Sequence, residues 1–418
     1  MQKTLMALLL GFALVVSGCS GPKSASNRQK WAKTASISSP TVLLPTATPY
    51  QVLPSRAPAI TPSPSPTATL PTYPPTPSVT TVHSPTYPTV FPVKAPLKYQ
   101  SVLVKTNYTR VGETLVHQEK LFFVGRLHPS AAHTLPNAIF EHNLKTGKTK
   151  LLTLSIHREK GVVCCLDASD HWLVWLTYLE PVGDLWRVYA KNLLTGREIV
   201  VDKQEDANVR TMPRGPYLAV WEDKIVWTSL RAGKDGTIKS FVMLDDLSSN
   251  KKEVIAEATW PEAMGYVDIY KNDVVWSKGS LINGKSKANV YSYNLSSGKL
   301  TQVTNDDISG QPQIWGKYLV WRQGFGDYGP IIVENRENDR RYRLSTRGRW
   351  LRLGENLMLF DEPYGVEYAY DVDKNIAQRL PSLGSSIFQR SISFIVARQS
   401  SENPIYYHGV IEVRTYER

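Results

Sequence analysis

From residue 97 to the end of the chain, short apolar runs alternate with polar turns, and no stretch keeps a 3.6-residue period. The clearest unit spans residues 273–304. An apolar run ending in tryptophan (Val274, Val275, Trp276) leads into a polar Gly/Lys/Ser loop. An alternating run follows at 290–295, then a Ser-Ser-Gly-Lys turn and a last alternating run to Thr304. These are three strands and two connections with nothing helical between them. Such a unit cannot bury its own faces, so it requires stacked copies of itself.

The copies are present. The apolar run ending in an aromatic recurs as Leu121-Phe122-Phe123, Leu173-Val174-Trp175, Ile225-Val226-Trp227, Leu319-Val320-Trp321 and Met358-Leu359-Phe360, with a degenerate Ile392-Ser393-Phe394. The outer hairpin recurs at 139–147, 188–196, 242–247 and 368–373, often closed by Thr-Gly or Ser-Gly. A fourth, inner strand precedes each copy and is plainest at Gln313-Ile314-Trp315-Gly316-Lys317. Spacing falls from about 50 to about 35 residues, the range of four-stranded propeller blades. The expected fold is therefore all-β: a β-propeller of four-stranded antiparallel blades, seven by count, with six or eight left open by the weak ends. The lone strand YQSVLVK at 99–105 precedes the first repeat and is expected to pair into the last blade, closing the ring.

The full pattern couples an inner strand, Gly-Lys/Asp, two apolar residues and Trp to Tyr-x-Tyr-Asn/Asp-Leu-x-x-Gly-Lys and Leu-Thr. It resembles the TolB-like propeller repeat of bacterial periplasmic and surface proteins, from about residue 100 to the end. The chain departs from that pattern by lacking most of its Asp residues and its Ser-Pro-Asp-Gly inner segment. The resemblance therefore speaks for the fold rather than for a Tol-system role.

The first quarter of the chain has a different character. Lys3 precedes an apolar run at 5–16, too short to span a bilayer and suited to an export signal. Val16-Ser17-Gly18-Cys19 resembles the lipobox of bacterial lipoproteins, which implies an acylated Cys19 as mature amino terminus and an anchor rather than a span. Residues 1–19 are thus expected to be the signal, 20–96 a disordered Pro/Thr/Ser-rich stalk, and 97–418 the propeller. Passages such as Thr61-Pro62-Ser63-Pro64 forbid helix and sheet; polyproline II at about 3.1 Å per residue gives a reach on the order of 200 Å. The expected location is the extracytoplasmic face of the cell membrane.

The net charge of +12 suits anionic surfaces, and the export signal argues against nucleic acid. The expected partner is a cell-envelope protein or anionic glycan, met by a monomer that touches the membrane only through its lipid. Three cysteines are too few for a disulfide scaffold. Cys164 and Cys165 are adjacent on a predicted strand, so one is expected on each face, one thiol buried and one near the surface. No second Cys/His pair stands at zinc-ligand spacing, and no metal or cofactor is expected.

Propellers present ligand sites on the loops after the second strand of each blade. Here those loops hold Tyr178, Arg231, Lys234, Lys278, Arg322, Phe325, Tyr328 and Tyr364, a mixture of aromatics and cations suited to sugars or anionic groups. Seven arginines between 336 and 352 form the densest basic run and are read as a hydrated blade edge or a polyanion patch. The pairs Asp245-Asp246, Asp306-Asp307 and Asp361-Glu362 raise a glycosidase or lyase alternative, which needs two carboxylates about 5 to 10 Å apart in a cleft. Turn chemistry explains them more simply. The sequence thus points to a non-catalytic, surface-tethered binding or scaffolding propeller, with a polysaccharide lyase or glycosidase at the ring's centre as alternative.

Overall fold

The computed structural model describes residues 87–109, 111–127, 136–154, 161–179, 185–204, 216–233, 235–282, 285–325, 328–363, 366–380, 386–388, 391–399 and 407–417. Cys19 and nearly all of the expected stalk lie outside them.

Seven four-stranded antiparallel units follow one another. Blade 1 comprises Thr114–His117, Lys120–Gly125, Ala138–Asn143 and Thr149–Leu154. Blade 2 comprises Gly161–Ala168, Trp172–Leu179, Trp186–Asn192 and Glu198–Gln204. Blade 3 comprises Leu218–Trp221, Lys224–Ala232, Ile238–Asp246 and Lys251–Thr259, and blade 4 Glu262–Tyr270, Asp273–Ile282, Lys285–Asn294 and Lys299–Gln302. The strand Arg340–Gly354 serves two blades. Its first part pairs with Gly329–Asn335 and completes blade 5, which begins with Ser309–Trp315 and Tyr318–Gln323. From Arg349 it pairs with Leu357–Glu362 and opens blade 6, which continues through Val366–Asp371 and Ile376–Arg379.

Blade 7 combines Ser386–Phe388, Ser391–Gln399 and Tyr407–Tyr416 with Tyr99–Thr109 from the other end of the sequence. Val102 lies opposite Val413 and Val104 opposite Ile411, so the expected closing strand sits where the repeat left room for it. The first strand of each blade lies beside that of the next, from blade 1 round to blade 7 and back to blade 1. The ring is closed.

The repeated apolar-apolar-aromatic run explains the packing. Side chains alternate along a strand, and a blade has a neighbour on each face, so both faces must be apolar. In blade 3, Ile225 and Trp227 pack toward blade 2, while Val226 packs toward blade 4. In blade 4, Val274 and Trp276 point back to blade 3 and Val275 forward to blade 5. Blade 5 repeats this with Leu319, Trp321 and Val320, and blade 6 with Met358, Phe360 and Leu359. The aromatic thus fills the seam with the preceding blade. Trp175, Trp227, Trp276 and Trp321 are fully buried, and burial of a large apolar side chain stabilises by roughly 1.5–3 kcal/mol.

The segment before the closing strand departs from expectation. Residues 87–97, read from sequence mostly as the end of the stalk, lie along the outer edges of blades 5 and 6. Thr89–Val90 pairs in parallel with Arg343 and Leu344, and Val93–Lys94 with Ile376 and Ala377. Asn375 Nδ2 donates to the Phe91 carbonyl at 3.0 Å, and the Tyr87 ring meets Trp321 edge-on at 6.4 Å. Leu97 is buried between blades 6 and 7. This strap covers edges that would otherwise offer unpaired backbone groups.

The cysteine pair also departs from expectation. The inner strand of blade 2 bulges between Cys164 and Asp167, and Cys165 takes φ 59°. The two thiols therefore do not alternate: both are half-buried, with sulfurs 2.9 Å apart.

Candidate functional site

The inner strands begin at the face where second strands end, and the bulges near their beginnings leave space between blades. A cavity of about 160 Å³ opens there over blades 3, 4 and 5, with Trp186 of blade 2 as a side wall. This is about five waters' share of liquid volume, enough for a single ring. Tyr217, just before the inner strand of blade 3, and Tyr266, in the bulge of the inner strand of blade 4, stack with centroids 4.0 Å apart and planes at 29°. Met264, Leu230, Ile308 and Phe325 supply further apolar wall.

Polar groups are few and fixed. Gln311 sits in the bulge of blade 5 at φ 55°, and its Nε2 donates to the Tyr266 hydroxyl at 3.1 Å. Its Oε1 is buried without a protein partner, as is Ser229 Oγ; Gln311 and Ser229 are 7% and 3% exposed and both line the cavity. A buried acceptor left unmet costs about 1–3 kcal/mol, so these atoms suit a bound donor or water. Ser240 Oγ accepts the Met264 N–H at 2.9 Å and ties the rim of blade 4 to blade 3. A Cβ at Gly265 would lie 2.6 Å from Ser277 Oγ, so a side chain there would turn the Ser277 hydroxyl out of its place in the lining. Arg322, 6% exposed, belongs to the same lining and brings a positive charge into the wall.

Of the residues expected on this face, Arg322 and Phe325 enter the cavity wall. Arg231 grips both Asp202 oxygens at 2.6 and 2.7 Å, and the Trp227 indole donates to the same carboxylate at 2.8 Å, locking blade 2 to blade 3. Lys278 pairs with Glu262 at 2.7 Å. Tyr178 packs against the cluster between blades 2 and 3, and Tyr328 lies under Arg349, 4.7 Å from ring centroid to guanidinium. Lys234 and Tyr364 fall outside the described residues. Trp186, Tyr217, Ser229, Tyr266 and Gln311 were not expected. Trp186, Ser229, Tyr266 and Gln311 lie on strands and Tyr217 just before one; Ser229 falls within the stretch 228–237 read from sequence as a loop, but it is neither aromatic nor cationic.

The basic run is largely spent within the fold. Arg336 pairs with Asp273 at 2.8 Å, Arg341 with Glu334 at 2.8 Å, Arg349 with Asp361 at 3.5 Å and Arg352 with Glu113 at 3.9 Å. Arg340, Arg343 and Arg347 are exposed. The acidic pairs have local roles too. Asp306 accepts from Ser309 Oγ and Gln323 Nε2, Asp307 from Lys287 and Asn289, and Asp246 caps the Ser248–Ser249 turn.

A second polar group occupies the axis below the cavity. Asp167 accepts the Val220 N–H at 2.8 Å and Asp268 the Ile314 N–H at 2.7 Å, while Glu113 accepts that of Cys165. Each carboxyl thus staples its inner strand to that of the next blade. The three are enclosed by protein, though each keeps some surface open to the channel. Burial raises Asp167 to about 7 and Asp268 to about 8 against the pull of those N–H bonds, with each charge adding to its neighbour's burden. Burial raises Glu113 as well, opposed by Arg352. At the far end Trp221, Tyr270 and Trp315 cluster with centroids 4.4 to 5.3 Å apart. Trp315 also touches the cores between blades 1 and 2 and between blades 5 and 6, so it lies across the channel.

No protein-family model and no curated protein matches the sequence. Solved structures do resemble the fold. The β-propeller domain of the Trilobed protease from Pyrococcus furiosus, described as having an open velcro topology, aligns with TM-score 0.51 and 11% identity over 69% of this chain and 89% of that one. The Pyrococcus horikoshii acylaminoacyl peptidase aligns with TM-score 0.52 and 9% identity over 74% of this chain and 52% of the peptidase. An oligogalacturonate lyase in complex with manganese gives TM-score 0.49 and 13% identity over 78% and 99% of the two chains. Identities this low speak to the fold alone, and the chain is, on this footing, a β-propeller.

Proposed function

We propose that the protein is a non-catalytic binding propeller, held outside the cell by a lipid on Cys19, that takes one ring of an anionic envelope glycan into the cavity over blades 3 to 5. The observation that carries this reading is the lining itself. Stacked tyrosines and Trp186 offer aromatic faces to a sugar ring, Ser229 and Gln311 offer buried unmet oxygens to its hydroxyls, and Arg322 offers a guanidinium to a carboxylate. Few, fixed polar groups in an apolar wall give orientation and specificity. The net charge of +12 raises the encounter rate with polyanions. Residue types, not fold likeness, support this assignment.

The test uses the full chain with Cys19→Ala on a glycan array, followed by calorimetry of the best binder. Saturable binding of a uronate-bearing glycan, weakened about tenfold or more by Phe325→Ala, is the expected result. Binding that Phe325→Ala leaves unchanged, or turnover of the glycan, contradicts it. For the anchor, fatty-acid labelling that persists after Cys19→Ala contradicts lipidation.

A further inference from the structure

We propose that Cys164 and Cys165 form a reversible vicinal disulfide, a thiol–disulfide exchange site in the inner strand of blade 2. In a regular strand, neighbouring side chains point to opposite faces and adjacent cysteines cannot meet. Here the bulge between Cys164 and Asp167 and the left-handed backbone of Cys165 turn both thiols to one side, with their sulfurs 2.9 Å apart. The conformation belongs to the ring rather than to the cysteines. Bulged inner strands in blades 5 and 6 place Gln311 and Trp350 at φ 55°, close to the 59° of Cys165. Glu113 of blade 1 accepts the Cys165 N–H and holds the bulge from outside the strand. A left-handed backbone is a strained conformation for an L-residue. The fold imposes that strain whether or not the sulfurs are bonded, so part of the ordering needed for an eight-membered ring is already in place.

The co-reactant is a small disulfide. One thiol, as thiolate, attacks it, giving a mixed disulfide and releasing one small thiol. The second thiolate then attacks the protein sulfur of that bond, the intramolecular disulfide forms, and a second small thiol leaves. Two electrons pass to the small disulfide and the two cysteine protons end on the released thiols. The second step is intramolecular between sulfurs already in contact, which favours ring closure over accumulation of the adduct. Both thiols are half-buried, leaving a path for a small disulfide. A vicinal pair is strained, so dithiothreitol reopens it.

The full chain with Cys19→Ala is incubated folded with excess glutathione disulfide, quenched with acid, alkylated and digested with trypsin. Residues 161–187 form one tryptic peptide holding both cysteines. The expected peptide is two hydrogens lighter and unalkylated, returns to the doubly alkylated form after dithiothreitol, and in Cys165→Ser carries glutathione on Cys164 instead. Double alkylation after oxidation, a stable glutathione adduct in the unsubstituted pair, or disulfide-linked dimers would each overturn the proposal.

Discussion

Asp268→Asn separates a structural carboxyl from its charge. A carboxyl raised from 3.8 to about 8 keeps its proton in the folded protein through neutral pH. The unfolded chain gives that proton up near pH 4. Between these limits the folded state binds more protons, so stability is greatest at acid pH and falls as pH rises toward 8. At about 1.36 kcal/mol per unit, the interval from 3.8 to pH 7 sets a ceiling of about 4 kcal/mol. Asp268 is only half-buried, so solvent screens the carboxyl, and an effective dielectric nearer 20 brings the expectation to about 2 kcal/mol. For a domain of this size that is a shift on the order of 3 °C in Tm. Asparagine keeps the shape but has one acceptor, so it satisfies either the Ile314 N–H or the Ile269 N–H and forfeits about 1 kcal/mol at every pH. The diagnostic is therefore the slope. In differential scanning fluorimetry the parent should lose Tm between pH 5 and pH 8, and Asp268→Asn should start lower and lose about 3 °C less. Parallel curves for the two proteins would refute the buried, neutral carboxyl.

Three further outcomes follow from the packing. Val104→Pro removes a ladder donor from the closing strand opposite Ile411 and should cost about 3 kcal/mol or more, read as a lower urea midpoint; an unchanged midpoint denies that the strand closes the ring. Trp276→Ala empties the seam between blades 3 and 4 and should cost about 3–5 kcal/mol by the same assay, well above any exposed Trp-free control. Burial depresses His117, so its contribution is whole above about pH 6.5 and lost as pH falls below it; His117→Gln should flatten the acid limb of the Tm profile below pH 6.5.

The fold was legible because its information is local and repeated. Each seam needs one aromatic and two aliphatics in three consecutive positions, and turns such as Thr146-Gly147, with Gly147 at φ 68°, mark where each outer hairpin reverses. The closing strand was legible as an alternating run with no repeat of its own. The strap was not: Thr89–Val90 and Val93–Lys94 make two-residue pairings beside Pro88 and Pro92, too short for any periodicity and hidden in a proline-rich composition. The site was half legible. Arg322, near the end of the second strand of blade 5, and Phe325, just beyond it, belong to the stretch that propeller geometry singles out, but Tyr266 and Gln311 face the cavity because a bulge shifts each inner strand by one residue. A period-2 reading then assigns such side chains to the wrong face. Polar residues at the axis, such as Asp167 and Asp268, weakened the inner-strand signal further. The thiols of Cys164 and Cys165 were misplaced for the same reason.

The most direct measurement of the account is a fluorescence titration, following Trp186 at the cavity wall, with a hexuronate tetrasaccharide and its carboxyl-reduced counterpart. The guanidinium of Arg322 against a carboxylate predicts roughly tenfold or greater preference for the acidic sugar, a charge-assisted bond being worth about 1.5–3 kcal/mol, and Arg322→Gln should abolish that preference. Equal affinities for the two sugars, or a preference that survives Arg322→Gln, would contradict the assignment of the cavity as the binding site.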